Sequence, residues 1–450
     1  SSNFEASAKY DNKWDIMGRH KFTIDATYSN FYTNTDADYN KTVFDIDGLT
    51  ALNKIITRSN NDDRFDNFIV QSDYTRPISD NTKLEVGYKG IFRNEDNKFN
   101  LDSLIGSSWI NDPSSFNKFS YKEIINSAYA SISRSIMNMS VMVGLRAESA
   151  NTTLDQEAWD KMLQANKKWK YDNDYFSLFP SVHIIYNINE EDKIQASYSR
   201  RINRPSVDQL SPVIDYTDPM TLRYGNPDLK PEYTNAYEVN ILKYFGRVMI
   251  LPQAFYRRTN DNISSFQELL PDGTYGTTYK NMNSSTSYGF EFTVSTPVLD
   301  WWKISSDVSY YRFKIEGNSF NDNVTNDDYA WNFNINSMMN LNESLSLQIN
   351  SRYRSPVVTA QGKTYETFSM DLGCRYQIIK DKLNLHLRAG NILNTMKPHS
   401  VSTGTYFRNE TWSRPEVPSV MIGLSLRLQS GTFGSAKRSD APRQEDLIGE

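Results

Sequence analysis

The side chains that most often carry out chemistry are sparse in this sequence. Four histidines stand far apart, at positions 20, 183, 386 and 399, and Cys374 is the one cysteine. Metal sites draw their ligands from clusters of histidine and cysteine, and a serine nucleophile needs a context such as Gly-x-Ser-x-Gly. The printed sequence contains neither. We therefore expect no metal site, no cofactor and no enzymatic activity.

One acidic stretch has the beginning of a calcium site. Asp45 and Asp47 alternate with an apolar residue and are followed by Gly48. The calcium loop of an EF-hand ends with a bidentate glutamate at its twelfth position, and Ile56 stands there in this chain. A solvated acidic loop is therefore the favoured interpretation.

A long segment between residues 201 and 238 is the best candidate for ligand contact. Five prolines, at positions 205, 212, 219, 227 and 231, stiffen it, since proline has no N–H to donate to a β ladder. Its arginine and tyrosine side chains are the expected contacts: Arg201, Arg204, Tyr216, Arg223 and Tyr224. Loops often carry specificity on a rigid scaffold. The alternative is that these residues only shape the segment and its strand ends, and both interpretations stay open.

Strands flank this segment and recur along the whole chain. Ile194, Ala196 and Tyr198 alternate with polar residues, and the same period of two continues on the far side of the segment. Such alternation predicts β-strands with one apolar and one polar face. We count about seventeen strands this way.

The connections between the strands alternate in length. Short turns fall near 137–138, 189–192, 244–247, 299–301, 341–343 and 379–382, and longer loops near 94–119, 259–282, 316–328, 355–364 and 395–415. We expect one further connection to hold a helical stretch at residues 154–168. Outer-membrane barrels combine short periplasmic turns with long extracellular loops. The predicted fold class is therefore all-β, an antiparallel transmembrane β-barrel, and a soluble β-repeat protein is the alternative.

The end of the proline-rich segment carries a motif. Gly225-Asn226-Pro227-Asp228-Leu229-Lys230-Pro231-Glu232, followed by Glu238, resembles the signature of TonB-dependent outer-membrane receptors. Four further groups of residues are similar to the same family: Arg201 with Asn203, Arg204, Pro205 and Leu210; 144–148; 176–182; and 391–394. The resemblance spans residues 140 to 429, and its type is that of the β-barrel receptors of Bacteroidota.

This resemblance implies the C-terminal part of a 22-stranded barrel, which in the family follows an N-terminal plug domain. Residues 1–429 are then barrel, and residues 430–450 form a polar periplasmic tail. A natural barrel has an even number of strands, so we expect further strands and the plug before Ser1. The plug and the energy-coupling segment do not occur in this chain, and some twenty residues follow the last strand.

The polar strand faces predict the residues that line the lumen: Asp25, Glu85, Arg146, Glu148, His183, Glu238 and His386. Arg146 and Glu148 are expected to form a charge network with Glu238. Lys193 is expected to join Glu85 in a second one. In the family such networks often seat the plug, and substrate contact is the alternative.

By this resemblance, the whole protein would take up a scarce nutrient across the bacterial outer membrane: a siderophore, cobalamin, a glycan or a peptide. The expected partners are outer-membrane lipid, the plug domain, the TonB energy-coupling complex and a surface lipoprotein. The net charge of −5, from 49 basic and 54 acidic residues, gives no basis for a nucleic-acid partner. The alternative is a non-transporting barrel that acts as a scaffold or surface interaction protein.

Overall fold

A computed structural model describes residues 1–44, 51–160, 165–212, 221–270, 275–319, 322–404, 407–414 and 418–427. Its strands are β1 (Ser2–Lys13), β2 (Lys21–Phe44), β3 (Ala51–Ser79), β4 (Thr82–Ile105), β5 (Ser108–Asn111), β6 (Asn117–Ile136), β7 (Met139–Asp160), β8 (Ala165–Asn187), β9 (Lys193–Asn203), β10 (Thr221–Arg223), β11 (Glu232–Phe245), β12 (Val248–Leu269), β13 (Tyr275–Leu299), β14 (Trp302–Ser319), β15 (Asp322–Asn340), β16 (Leu345–Arg354), β17 (Val357–Thr359), β18 (Gly362–Thr364), β19 (Thr367–Ile379), β20 (Leu383–Gly390), β21 (His399–Gly404), β22 (Phe407–Trp412) and β23 (Ser419–Leu426). One 3-10 turn (Pro113–Ser115) and one α-helical turn, α1 (Val207–Leu210), complete the described elements. No helix among them is long and apolar enough to cross a membrane.

Long strands dominate the part of the chain that the structure describes. Seventeen of its strands have eight residues or more, and the other six are shorter. The prediction of an all-β, antiparallel chain with about seventeen long strands is confirmed. The polar tail at residues 430–450 lies outside the described residues, so its assignment stays a prediction.

The chain forms two compact units. The first contains Ser1–Ile136, Met142–Ser181 and Val207–Pro227, and the second contains Met137–Val141, Val182–Ser206 and the chain from Asp228 onward. In the first unit β1, β2, β3, β4 and β6 pair in that order, each antiparallel to the next. In the second unit the order of pairing is β9, β11, β12, β13, β14, β15, β16, β19, β20 and β23, again antiparallel throughout.

The two faces of the strands differ in exposure. Large apolar side chains are exposed and several polar side chains are buried, which is the opposite of the arrangement expected in water. On β6, Ile124 and Ile132 are exposed, whereas the carboxylate of Glu123 and the hydroxyl of Ser127 are buried. The same alternation places large apolar side chains on the open face of most long strands. An extended apolar face of this kind needs an apolar environment. The predicted alternation of faces is therefore present in the structure.

Several predicted loops are strands instead. The expected helical stretch at 154–168 is wrong, because β7 continues to Asp160 and β8 begins at Ala165. Much of the predicted loops at 94–119, 259–282 and 316–328 likewise continues the neighbouring strands. Cross-strand side-chain bonds extend the ladder there: Nδ2 of Asn97 donates to Oδ1 of Asn61 at 2.9 Å, and Nε of Arg312 donates to Oδ1 of Asp327 at 2.8 Å. Polar composition marks solvent exposure, and it does not exclude paired strands.

A small separate sheet lies in the second unit. Its strands β17, β18, β21 and β22 pair in that order, and they come from the connections β16–β19 and β20–β23. Gln361, in the tight turn between β17 and β18, accepts a 2.7 Å bond from the amide of Gln267 and donates a 2.9 Å bond to its carbonyl oxygen. Ala360 packs in a buried apolar cluster with Met282 and Ile315. The small sheet is thus held against the larger one by both polar and apolar contacts.

Candidate functional site

The structure describes the proline-rich segment on both sides of residues 213–220. The expected ligand contact Tyr216 is one of these eight residues and lies outside the described residues. In the first unit the segment opens with α1 (Val207–Leu210), followed by Ser211. The amide of Gly225 donates a 2.6 Å bond to the carbonyl oxygen of Ser211, and the amide of Asn226 donates a 2.6 Å bond to that of Gln209. The segment therefore returns to its own starting point and closes on it.

Gly225 is required by this closure. A Cβ atom at position 225 would lie 2.6 Å from the carbonyl oxygens of Gln209 and Ser211, and 2.7 Å from that of Asp208. Only a residue without a side chain allows the two backbones to approach so closely. The first residue of the motif thus has a structural reason.

The closed segment is seated on the polar face of the first unit. Gln156 of β7 is buried, and its Nε2 donates to the hydroxyl of Ser211 at 3.0 Å and to Oδ1 of Asn117 at 3.1 Å. Leu210 is buried and lines one small void with Tyr121 and other residues of the same unit. A buried polar side chain must be hydrogen-bonded, and here the partners of Gln156 include the segment itself.

The same polar face contains buried carboxylates with their own cations. Glu123 lies 3.1 Å from Arg93, and Glu148 lies 3.6 Å from Arg146 and accepts a 2.8 Å bond from Ser127. Buried charges are costly unless they are paired and hydrogen-bonded. The buried negative charges on this polar face are therefore balanced by arginines of the same unit, which favours a structural role for Arg146 and Glu148.

The end of the motif is fixed within the second unit by two side chains. The carboxylate of Glu232 is buried and accepts bonds from Nδ2 of Asn203 at 2.6 Å, Nδ2 of Asn262 at 2.7 Å and the amide of Ile263 at 2.5 Å. Asn281 binds the backbone of Lys230 in both directions, at 2.9 Å each. These residues shape the segment and its strand end, as the alternative interpretation of the sequence proposed.

The expected ligand contacts are distributed over both units. Arg201 stands near the C-terminal end of β9 in the second unit and has an exposed side chain. Arg204 lies just after β9 and is partly buried. In the first unit Arg223 is exposed and Tyr224 is partly buried. Arg201 and Arg223 are thus the candidates whose guanidinium groups are most accessible to a ligand, and their role stays a prediction.

The residues expected to line the lumen lie on strands, mostly with polar partners. Asp25 is 3.5 Å from Lys9, Glu85 is 2.8 Å from Lys83, and Glu238 is 2.7 Å from Arg257. His386 lies 3.3 Å from the hydroxyl of Ser425, and His183 is partly buried on β8. Short-range pairs along and between neighbouring strands account for these charges. Their position in a lumen stays a prediction.

Sequence patterns do not reveal the contacts of Asp192, which lies in the turn between β8 and β9. Asp192 is buried in the short turn before β9, where it binds Nζ of Lys243 at 2.5 Å and the amide of Tyr244 at 2.9 Å. These bonds, the one from Lys243 first, together with one from Asn189, lower the pKa of Asp192 to about 2. A turn aspartate is common, and only the fold shows that its partner lies 51 residues away.

The expected absence of a metal site stays a prediction. No group of three or more histidine, cysteine, aspartate or glutamate side chains within the described ranges could hold a metal ion. The acidic stretch with Asp45 and Asp47 falls in residues 45–50, outside those ranges. Its interpretation as a solvated loop stays a prediction.

Comparison with known proteins gives the following matches. The model of the outer membrane protein beta-barrel family matches residues 15–426. An iron-regulated outer membrane virulence protein of Vibrio cholerae serotype O1 is 24% identical over 202 residues, which are 43% of this chain and 31% of that protein. This chain therefore spans about a third of the length of its Vibrio relative.

Two solved structures resemble the chain at low sequence identity. The copper transporter OprC superimposes with a TM-score of 0.64 at 12% identity, over 94% of this chain and 64% of that one. The siderophore receptor PiuA from Acinetobacter baumannii gives 0.62 at 13% identity, over the same shares of 94% and 64%. At this identity the likeness shows a shared fold, and the chain spans less than two thirds of either structure.

Proposed function

Because this chain belongs to the outer membrane protein beta-barrel family, we propose that it is barrel wall of a protein that imports a scarce nutrient by TonB-dependent transport. It lies in the outer membrane of a bacterium, with the exposed apolar strand faces toward lipid. The functions of its structural relatives, a copper transporter and a siderophore receptor, support import as the activity. The proposed substrate is a nutrient of the siderophore, cobalamin, glycan or peptide class.

One structural observation carries this proposal. The proline-rich segment folds back on itself at Gly225 and is seated by Gln156 on the polar face of the first unit. A barrel that served only as an anchor would have no need to keep a connecting segment ordered against its polar face. A transporter needs such ordered surfaces, because ligand contact requires fixed side chains.

The proposed partners follow from the proposed transport. Outer-membrane lipid surrounds the apolar face, a plug domain occupies the lumen, and the TonB complex of the inner membrane supplies energy. A surface lipoprotein is a further proposed partner at the outer loops. The residues predicted to face the lumen, Glu85, Arg146, Glu148 and Glu238, are proposed to contribute to the surface on which the plug rests.

The test is an uptake experiment on the full-length protein in its own bacterium. Cells with and without the gene are supplied in turn with labelled ferric siderophores, cobalamin, oligosaccharides and peptides. We expect the deletion to abolish the uptake of one class, and a protonophore to abolish the same uptake in wild-type cells. Import that is unchanged by the deletion for every class, or that continues after the proton gradient has collapsed, would contradict the proposal.

A second candidate function is that of a surface interaction protein, and the small four-stranded sheet favours it. The ring of His399 stacks between the rings of Tyr365 and Trp412, with centroid distances of 4.3 Å to Tyr365 and 3.7 Å to Trp412. Trp412 is exposed. Aromatic residues of this kind are common at protein interfaces. Normal uptake in the deletion strain, together with the loss of a cross-linked surface protein, would support this second function.

A further inference from the structure

The lipid-facing surface of the second unit has a row of four tyrosines in register, the last of which is Tyr288 of β13, opposite Tyr256. Tyr198 of β9 is opposite Tyr237 of β11, which is opposite Tyr256 of β12. The ring centroids are 4.8 Å apart in the first pair and 6.2 Å in the second. Tyrosines in such positions mark the boundary between the apolar band of a barrel and the lipid headgroups.

A depression lies directly below this row, on the side of the apolar band. The next residues in register are Ala196, Val239 and Ala254, all of which have short side chains. With Ile184 and other neighbours they line a space of about 480 Å³ whose walls are almost entirely apolar. The same register continues with the much larger Phe290 on β13, so the small residues create a local recess in an otherwise bulky surface.

Directly above the tyrosines lies a row of hydrogen-bond donors. Arg200 is opposite Asn235, and Asn235 is opposite Arg258. The hydroxyl of Tyr198 donates a 3.0 Å bond to Oδ1 of Asn235, which leaves the amide NH₂ of Asn235 available between the two guanidinium groups. Side chains that are opposite each other on neighbouring strands are about 5 Å apart at Cβ. The two arginines can therefore reach the same anion.

Neither of the two arginines forms a salt bridge within the described part of the protein. Within the described residues, neither guanidinium has a carboxylate oxygen within 4.0 Å. Nε of Arg200 is buried and has no hydrogen-bond partner there, and its guanidinium lies 5.0 Å from the ring of Tyr233. Glu316 attracts Arg258 only over a distance longer than a salt bridge, and it is itself 2.6 Å from Lys314. A cationic pair with an unused buried donor fits an anionic partner.

The height of the row assigns it to one leaflet. Arg258 stands ten residues after Val248, where β12 begins at a short turn. Ten residues at about 3.4 Å each, tilted by about 40°, rise about 26 Å, which equals the height of the apolar band of a barrel. Short turns are periplasmic, so the row lies at the headgroups of the outer leaflet.

We propose that this surface is a specific binding site for a phosphorylated lipid of the outer leaflet. One acyl chain fills the recess at Ala196, Val239 and Ala254. A phosphate group lies between Arg200 and Arg258 and also accepts a bond from the amide of Asn235. The tyrosine row separates the two parts of the lipid. Recognition combines an apolar volume with charge-assisted hydrogen bonds, so that neither part alone selects the ligand.

The test measures lipid that stays bound to the full-length protein. The protein is extracted from outer membranes in mild detergent, and bound lipid is identified by native mass spectrometry. The R200Q/R258Q variant removes both cations, and the A196F/A254F variant fills the recess. R352Q/R375Q is the matched control, since it removes two arginines from the opposite, polar strand face. Resistance of each folded barrel to cold SDS shows that all variants are folded.

We expect wild type and control to retain a phosphorylated lipid, and R200Q/R258Q to retain about tenfold less, the effect of losing roughly one strong charge-assisted bond. R200K/R258K should restore most of the retention, because it restores the charge. In a titration of delipidated protein, a phosphorylated outer-leaflet lipid should compete and the same lipid without phosphate should not. Equal retention by wild type and both site variants overturns the proposal. So does equal binding of the dephosphorylated lipid, or retention of a protein in place of a lipid.

Discussion

The amide of Gly225 donates a 2.6 Å hydrogen bond to the carbonyl oxygen of Ser211. This bond closes the proline-rich segment on itself, and it is possible only because position 225 has no side chain. Ser211 also receives a bond from Gln156 through its hydroxyl. One serine therefore joins the closure of the segment to its seat on the strands.

Replacement of Gly225 by alanine should open this closure. The new Cβ would lie 2.6 to 2.7 Å from three carbonyl oxygens, so the backbone must shift, at a cost of about 1–3 kcal/mol. We expect faster hydrogen exchange at the amides of residues 225 and 226, with the strands unchanged. Gly423→Ala is the control, since its Cβ would meet nothing closer than His386 at 3.8 Å. Equal exchange in both variants would show that the closure tolerates a side chain.

Glu232→Gln should destabilise the second unit. The carboxylate accepts three bonds, and an amide in its place would present a donor to groups that also donate. We expect a loss of about 1–3 kcal/mol in the free energy of unfolding in lipid vesicles, the usual cost of an unsatisfied buried polar group. Glu343→Gln breaks an exposed pair with Lys380 and should have no measurable effect. The prediction fails if the two variants unfold at the same denaturant concentration.

The anchor at Asp192 should make stability depend on pH only in acid. The pKa of Asp192 is lowered to about 2 in the folded protein, and an aspartate in an unfolded chain has a pKa of about 3.9. The bond to Lys243 therefore contributes fully above about pH 5 and is lost as the pH falls toward 2. The difference in unfolding midpoint between wild type and Asp192→Asn should be constant from pH 5 to 7 and shrink below pH 4. A difference that stays the same at pH 2.5 would refute this assignment.

Neighbouring residues on opposite strand faces should respond oppositely to charge. Phe292 is exposed and is opposite Pro252, only four residues into β12 and therefore near the middle of the apolar band, so Phe292→Arg should cost about 2–4 kcal/mol in vesicles. Thr293 is on the polar face and contacts Asp307 at 2.7 Å, so Thr293→Arg should be tolerated because it finds a carboxylate there. Folding yields from urea into vesicles measure both. Similar yields for the two variants would be inconsistent with the assignment of the faces.

Arg201 and Arg223 should contribute to ligand affinity if the proposed transport is correct. Both side chains are exposed, and the double alanine variant should weaken the binding of the identified nutrient about tenfold or more, as expected for the loss of charge-assisted bonds. Arg247→Ala is the control, because Arg247 lies in a short turn and pairs with Asp300. Equilibrium binding to purified full-length protein gives the comparison. Unchanged affinity in the double variant would assign these arginines a structural role.

Strand positions and faces could be predicted from sequence because alternation is a local property. Tyr198 and Ala196 lie on the same strand face simply because they stand two residues apart on one strand. The strands at 94–119 could not be predicted, since their stability comes from partners such as Asn61 and Asp63, which lie far away in sequence. The hydrogen bond from Gln156 to the proline-rich segment could not be predicted for the same reason, because its partner Ser211 follows 55 residues later. Motif residues were identified, but their structural task was visible only in their contacts.

The contact between Asn281 and Lys230 also sets an order of assembly. The side-chain amide of Asn281 takes the place of a neighbouring strand, because it both accepts from and donates to the backbone of Lys230, 51 residues earlier in the chain. Contacts that close long stretches of chain form late. The exit of the motif can therefore reach its final position only after β13 has docked beside β12. If membrane insertion paused before that point, every residue of the motif would be present, but Lys230 would lack its hydrogen bonds to Asn281.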